Sequence, residues 1–328
     1  MVKNIRKLIE QTAKEKDLPE KVVEKALKNA IAIAIKKDKD IKDYLDVEFE
    51  DGEIKVYIIS RKGRERIPLD ITTEDVNRIA AYAAKKEFLK EIEQAERERG
   101  FLEYKELEGE IVTGIVRKIM DSGDILVDLG RVDAILPRRE QIAKEKYKIG
   151  DRVKALLLEV KRGKGRPSII LSRTHPRFLK KLIETEIPEV NSGYIEVKAV
   201  AREPGERAKV AVHAKDLKMD PVGIVVGLKG SRIQPITEEL SGEKIDVIRW
   251  SEDFDEFLKR ALSPSHPTKI KLIPEEKRVE VAVPKEELSL AIGKKGVNVK
   301  LANKLIGWHI DVMSEEDFER LESLRQNE

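Results

Sequence analysis

Cysteine is absent from the 328 residues. That excludes disulfides, thiolate metal sites and cysteine nucleophiles. Histidine is scarce: His175, His213, His266 and His309 stand far apart, so no local two-histidine metal motif exists. Aromatic residues make up only 5% of the chain, which argues against recognition by extensive base stacking. No apolar run approaches the roughly 20 residues that span a bilayer, and the amino terminus lacks an apolar signal core. A cytoplasmic protein with no membrane contact, no metal and no cofactor is expected.

What the chain has in abundance is charge. Charged residues make up 39% and hydrophobic residues 40%, with a formal net charge of +3. The length suits two to four modules, each with its own core. Within 161–180 stand Lys161, Arg162, Lys164, Arg166, Arg173, Arg177 and Lys180, with no acidic residue, whereas the stretch 311–328 is acidic. A basic run this short reads equally as a solvated face or as a track for a polyanion, which would bind by releasing counterions.

Apolar residues recur at helical spacing through Ile5, Leu8, Ile9 and Ala13, and again through Val22, Val23, Ala26, Ala30, Ile33 and Ala34. Pro19 stands where the second helix would begin. Alternation follows in Leu45, Val47, Phe49 and Ile54, Val56, Ile58, parted by an Asp51-Gly52 turn that predicts a hairpin. A long helix is expected over about 75–98, with Thr72 as its cap. Five short strands parted by Gly-containing turns then fill 108–172. They suit a Greek-key barrel of the OB type, with Val116, Ile125, Val127, Val153, Leu157 and Ile169 inside and Gly114 and Gly130 permitting sharp coiling.

The remainder carries an internal repeat. Gly227-Leu228-Lys229-Gly230 recurs as Gly293-Lys294-Lys295-Gly296, and Ile245-Asp246-Val247 as Ile310-Asp311-Val312. Each copy reads helix, strand, strand, helix, glycine loop, helix, strand. A lone G-x-x-G is only a turn signal. Between two helices beside a sheet, the missing Cβ lets a sugar-phosphate chain approach, and the next helix aims its positive end at it. That is the loop by which KH modules clamp about four nucleotides; the alternative is a helix–helix turn with incidental lysines. The candidate contacts are Gly227, Leu228, Lys229, Gly230, Ser231 and Arg232 in the first copy. In the second they are Gly293, Lys294, Lys295, Gly296, Asn298 and Lys300. Lys161, Arg162, Lys164, Arg166, Arg173 and Arg177 would extend the electrostatic track. Val226, Ile233, Val297 and Leu301 are expected to wall a groove for bases, and Trp250 and Trp308 to pack in the core or between modules rather than stack on bases.

Asp220-Pro221-Val222-Gly223, Gly227–Arg232 and Gly242–Glu252 resemble the first KH module of the NusA family of bacterial transcription termination/antitermination proteins. Ala291–Ala302 resembles the second module, and Ile169–Pro176 and Val197–Gly205 are similar to the same family. The resemblance implies a multidomain α+β fold. Its parts are an α+β amino-terminal domain over 1–105 that binds RNA polymerase, an OB-type β-barrel (S1) over 106–173, and two tandem type II KH domains over 174–250 and 251–328. The sequence departs from the family at a compact loop over 60–72 and at Leu126 and Pro137, where RNA-gripping S1 barrels place aromatic or histidine residues. The acidic repeats that some members append are not expected.

The resemblance further implies a monomeric, non-enzymatic elongation factor that holds single-stranded nascent RNA on its S1–KH–KH body. Its partners would be RNA polymerase core and other Nus factors, and its effects would fall on pausing, termination and antitermination. The alternative is an RNA-processing or degradation enzyme, or an accessory adaptor with S1 and KH modules. The acidic residues of the amino-terminal part, interleaved with Lys and Arg, offer no paired-carboxylate metal site for such an enzyme.

Overall fold

The computed structural model describes residues 2–50, 53–59, 66–69, 73–162, 168–216 and 218–326. The chain divides into two compact units. One is Met1–Glu106 with Lys161–Pro167, and the other is Leu107–Val160 with Ser168–Glu328. In the first, α1 (Val2–Lys16) and α2 (Glu20–Asp38) precede an antiparallel hairpin of β1 (Tyr44–Glu50) and β2 (Glu53–Ile59). Pro19, extended at φ −60°, stands just ahead of α2, where its missing N–H costs no helical bond. A short third strand, β3 (Arg66–Pro68), pairs with β2 and has no sequence signal of its own. The helix α3 (Thr73–Glu106) runs 34 residues, about 50 Å, and outlasts the expected stretch. No proline interrupts it, and it ends just before Gly109, whose φ is +92°. The core gathers Val23, Ala30 and Ile35 of α2 with Val47, Val56 and Ile92. The Asp51-Gly52 turn, the loop 60–65 and Thr72 lie outside the described residues.

The second unit opens with a closed barrel of β4 (Ile111–Ile119), β5 (Ile125–Asp128), β6 (Asp133–Leu136), β7 (Arg152–Lys161) and β8 (Ser168–Ser172). Their order around it is β4-β5-β6-β8-β7. All six expected interior residues are buried. Gly114 meets a tight crossing: a Cβ there would stand 2.5 Å from Val127 Cγ1 and 2.7 Å from the Asp128 carbonyl.

The repeat then builds two modules of one design. The first has α4 (Pro176–Glu186), α5 (Pro188–Asn191), β9 (Ile195–Glu203), β10 (Arg207–Ala214), α6 (Pro221–Val226), α7 (Gln234–Glu239) and β11 (Lys244–Arg249). The second has α8 (Phe254–Ala261), β12 (Lys269–Ile273), β13 (Arg278–Val283), α9 (Leu288–Ile292), α10 (Val297–Ile306) and β14 (His309–Ser314), followed by α11 (Glu315–Gln326). In each, the first two strands pair antiparallel and the last joins the middle one in parallel. This is the type II KH arrangement.

The first sheet is covered on both faces. One face meets Phe178, Leu179 and Ile183 of α4 with Val225 and Ile236. The other presents Ala199, Ala201 and Ala211 to Leu258 of α8 and Leu301 and Ala302 of α10, from the second module. Burial on both faces leaves every residue of β10 from Ala208 to Val212 buried, Lys209 among them. Ile142 and Leu156 of the barrel join the core of the first module.

Buried ions stitch the same joints. Arg202 and Glu243, both with fully buried side chains, form a two-pronged pair at 2.8 Å and 2.8 Å. Arg202 also donates to the Arg173 and His175 carbonyls, and Glu243 accepts from the Gly205 N–H. Lys209, at 0% exposure, donates to the Ser263 carbonyl at 2.9 Å between the two modules. Burial pushes its ammonium down to about 8, against the opposing pull of Asp246. Glu280 of β13 is held by Arg325 of α11 at 2.6 Å and 2.7 Å.

Neutralising one partner of a buried pair strands the other. Glu243→Gln is therefore expected to lower the unfolding free energy by about 3–5 kcal/mol, read by urea denaturation followed through Trp250 and Trp308. An unchanged midpoint would contradict this account of the joint.

Candidate nucleic-acid interface

Both glycine loops are formed by the same backbone path. Gly227 (φ 74°, ψ 171°) and Gly293 (φ 76°, ψ 168°) end α6 and α9 in a region open only to glycine. Lys229 (φ 52°, ψ 29°) and Lys295 (φ 56°, ψ 24°) then enter the left-handed region. Gly230 and Gly296 follow, also at positive φ. The Gly227 N–H donates to Gly223 and the Gly293 N–H to Ser289, each at 2.9 Å.

The two glycines of each loop do different work. A Cβ on Gly227 would stand 2.8 Å from Arg232 Cγ, and one on Gly293 2.7 Å from Asn298 Cβ. The first glycine therefore answers a demand of its own chain. Around Gly230 the nearest atom is 4.0 Å from such a Cβ, and around Gly296 nothing lies within 4 Å. The second glycine faces the open side, where a backbone can approach. Lys229, Lys294 and Lys295 are exposed, and among the described residues none has an ion-pair partner. Leu228 is exposed at the first tip and Ser231 just beyond it.

After the loops the copies diverge. Gly296 leads directly into α10, a helix of 10 residues, whereas α7 starts only at Gln234 and has 6. A helix aimed at the loop thus exists in the second copy alone. Asn298 is not a surface contact: at 1% exposure its Nδ2 donates to the carbonyls of Leu262, Leu290 and Ala291. Lys300 is exposed, but its ammonium meets Glu203 at 2.8 Å, beside Lys304. Arg232 pairs with Glu189 at 2.8 Å. Leu301 lies in the core rather than in a groove wall, because α10 turns that face toward the first sheet.

One member of the basic strip is not at the surface. Arg173 is buried: it bonds Glu145 at 2.8 Å and 2.6 Å and Glu239 at 2.9 Å, and lies 5.2 Å from the Phe178 ring. Burial works against its charge, but the bonds from Glu145 outweigh it and keep the guanidinium above its ordinary pKa. Arg162 is exposed yet pairs with Glu98 at 2.7 Å and stacks on Phe101. Lys161 and Arg177 are exposed, and Lys164 and Arg166 lie outside the described residues.

A groove of about 630 Å³ opens beside β11, which has a neighbouring strand on one side only among the described residues. Val222, Val247 and Arg249 of the first module line it with Lys259, Arg260 and His266 of the second. Sequence reasoning missed Arg249, Lys259 and Arg260 because they come from the junction between copies. The near absence of a spacer there was the available signal. Trp250 meets His213 edge-on at 5.4 Å, and Trp308 meets Phe254 at 4.9 Å, as packing residues. On the barrel, Leu126 and Pro137 are half-buried, and its one aromatic residue, Tyr147, bonds Glu145. Among the described residues no group of three or more His, Asp or Glu is placed to hold a metal, and no helix is long and apolar enough to cross a membrane.

A small closed barrel joined to two fused KH modules, each with its glycine loop intact, defines an S1–KH–KH protein. Residues 105–173 match the S1 RNA binding domain, residues 173–250 the NusA-like first KH domain and residues 254–320 the NusA-like second KH domain. The chain belongs to the NusA family. It is 47% identical over 255 residues to the transcription termination/antitermination protein NusA of Halalkalibacterium halodurans, covering 78% of this chain and 66% of that protein. The Bacillus subtilis protein of the same name is 46% identical over 255 residues, covering 78% and 68%. That of Thermus thermophilus is 42% identical over 262 residues, covering 80% and 68%. The chain thus spans about two thirds of the length of these relatives.

Gly293→Ala is expected to lower stability by at least about 2 kcal/mol, since strain adds to the clash with Asn298. Gly296→Ala meets only the left-handed penalty of about 1 kcal/mol. Thermal unfolding of the two variants distinguishes them, and equal losses would refute the division between the glycines.

Proposed function

We propose that this chain is a non-enzymatic transcription elongation factor of the cytoplasm. It binds single-stranded nascent RNA through its two glycine loops, docks on RNA polymerase core through residues 1–105, and modulates pausing, termination and antitermination with other Nus factors. The observation that carries the reading is the repeated loop: one backbone path used twice, an open second glycine, and exposed lysines without an ion-pair partner among the described residues. Phosphates held there would fix the register of the strand but carry no sequence information. Bases would turn toward the groove beside β11, where Arg249 and Lys259 add positive charge near Val222 and Val247. The fused modules make the second contact intramolecular, which raises affinity without any further bond. The names of the relatives support the role in termination and antitermination.

Replacing Lys294 and Lys295 with Asp is expected to weaken binding of labelled single-stranded RNA at least tenfold at low salt. The log–log salt slope should become shallower by about 1.4 units, as two cations cease to displace counterions. An unchanged affinity would remove the second loop from the interface. The same reactions run with Mg²⁺ and phosphate should return the RNA at full length, and protein-dependent shortening would favour a degrading enzyme instead. Deleting residues 1–105 should abolish capture by bacterial core polymerase while leaving RNA affinity unchanged. Retained capture would contradict the assigned division of labour.

A further inference from the structure

Arg232 and Asn298 occupy the same place in the repeat, two positions beyond the second glycine. They also reach for the same place. Arg232 Nη1 donates to the Ile224 carbonyl at 3.2 Å and Asn298 Nδ2 to the Leu290 carbonyl at 3.3 Å, each three positions before the first glycine. Both side chains thus latch the loop onto the helix that precedes it. The latches differ in what else they hold. Asn298 is sealed in, spending Nδ2 on three backbone carbonyls. Arg232 keeps its stem against Gly227, while its guanidinium stands in solvent and meets the Glu189 carboxylate of α5 at 2.8 Å. Both partners of that pair are accessible, with side chains 41% and 28% exposed.

We propose that Glu189 is a built-in competitor for RNA at the first glycine loop. With the loop empty its carboxylate occupies the Arg232 guanidinium, and an arriving backbone phosphate takes its place. The inference rests on the RNA-binding reading above and adds a regulating residue to it. The chemistry favours such an exchange. An exposed ion pair contributes little, about 0.2–1 kcal/mol. A guanidinium offers five donors in a planar fork that fits a phosphate in two-pronged fashion, so a phosphate displaces a single-pronged carboxylate. The carbonyl of Ile224 holds the guanidinium near the loop during the exchange. The second loop has no counterpart, because Asn298 carries no charge and faces only carbonyls. The first loop is therefore the half that yields to solution conditions, and the second the half that is set in advance.

The test uses the full chain, a fluorescein-labelled single-stranded RNA long enough to span both loops, and anisotropy titrations over a range of KCl. Glu189→Gln is expected to tighten binding roughly 1.5- to 5-fold at low salt, the factor that the freed pair is worth. Glu186→Gln, an exposed carboxylate three residues away, should have no such effect. Arg232→Gln should weaken binding and make the salt slope shallower by about 0.7 units. In that background Glu189→Gln should gain nothing, since its partner is gone. Equal gains from Glu189→Gln and Glu186→Gln, or a gain that survives Arg232→Gln, would reduce the effect to net charge and overturn the proposal. So would no gain at all. If the unaltered chain fails to bind the RNA, the reading of function falls and this inference with it. If it binds and only the Glu189 pattern fails, the competitor alone is wrong.

Discussion

The enclosure of β10 on both faces is what the second unit depends on. A strand with helices of its own module above it and α8 and α10 of the next below it cannot shift without opening two cores at once. The second contact is possible because Ala199, Ala201 and Ala211 keep that face of the sheet low, so that Leu258, Leu301 and Ala302 fit against it. The two glycine loops are thereby held in one body rather than on two tethered modules. Loops that must grip one extended chain lose less conformational freedom on binding when their spacing is already set.

Charge takes two forms in this protein. At Lys229, Lys294 and Lys295 it is solvated and, among the described residues, without an ion-pair partner, as a phosphate-binding surface requires. At the joints it is buried and bonded: Arg202 with Glu243, and Arg173 with Glu145 and the half-buried Glu239. Buried pairs of this kind contribute little net stability, because desolvation cancels most of their attraction. They impose a geometry all the same, since a misplaced module would leave a bare ion in a dry interior. Lys209, with its charge disfavoured by burial and its ammonium on the Ser263 carbonyl, does the same at the boundary between the copies.

The repeat keeps its strand pairing and its loop backbone and changes what they are used for. Arg207 reaches Asp246 at 2.6 Å in the first copy, and Arg278 reaches Asp311 at 2.5 Å in the second, so the pairing of middle and last strands is duplicated. Yet the residue two places further along the middle strand is Lys209 in one and Glu280 in the other, each matched to a different neighbour. Arg232 and Asn298 diverge in the same manner. Copies that share a fold but meet different surroundings keep the residues that shape the backbone and change those that face a neighbour.

Elements with a local cause were legible in the residues. Pro19 sets the start of α2, and the alternation of the barrel strands placed six side chains inside it, all of them buried. The glycines of the two loops are demanded by backbone angles that a neighbouring side chain does not alter. What depends on distant partners could not be read this way. Arg173 looks like surface in a basic run, and only Glu145 and Glu239, brought in from the barrel and α7, make its burial tolerable. Asn298 reads as a loop contact until Leu262, Leu290 and Ala291 turn their carbonyls toward it. Periodicity and turn chemistry act over a few residues and are written into the order of the chain. Burial and ion pairing are decided by which faces meet, and that is settled only when the modules close on one another.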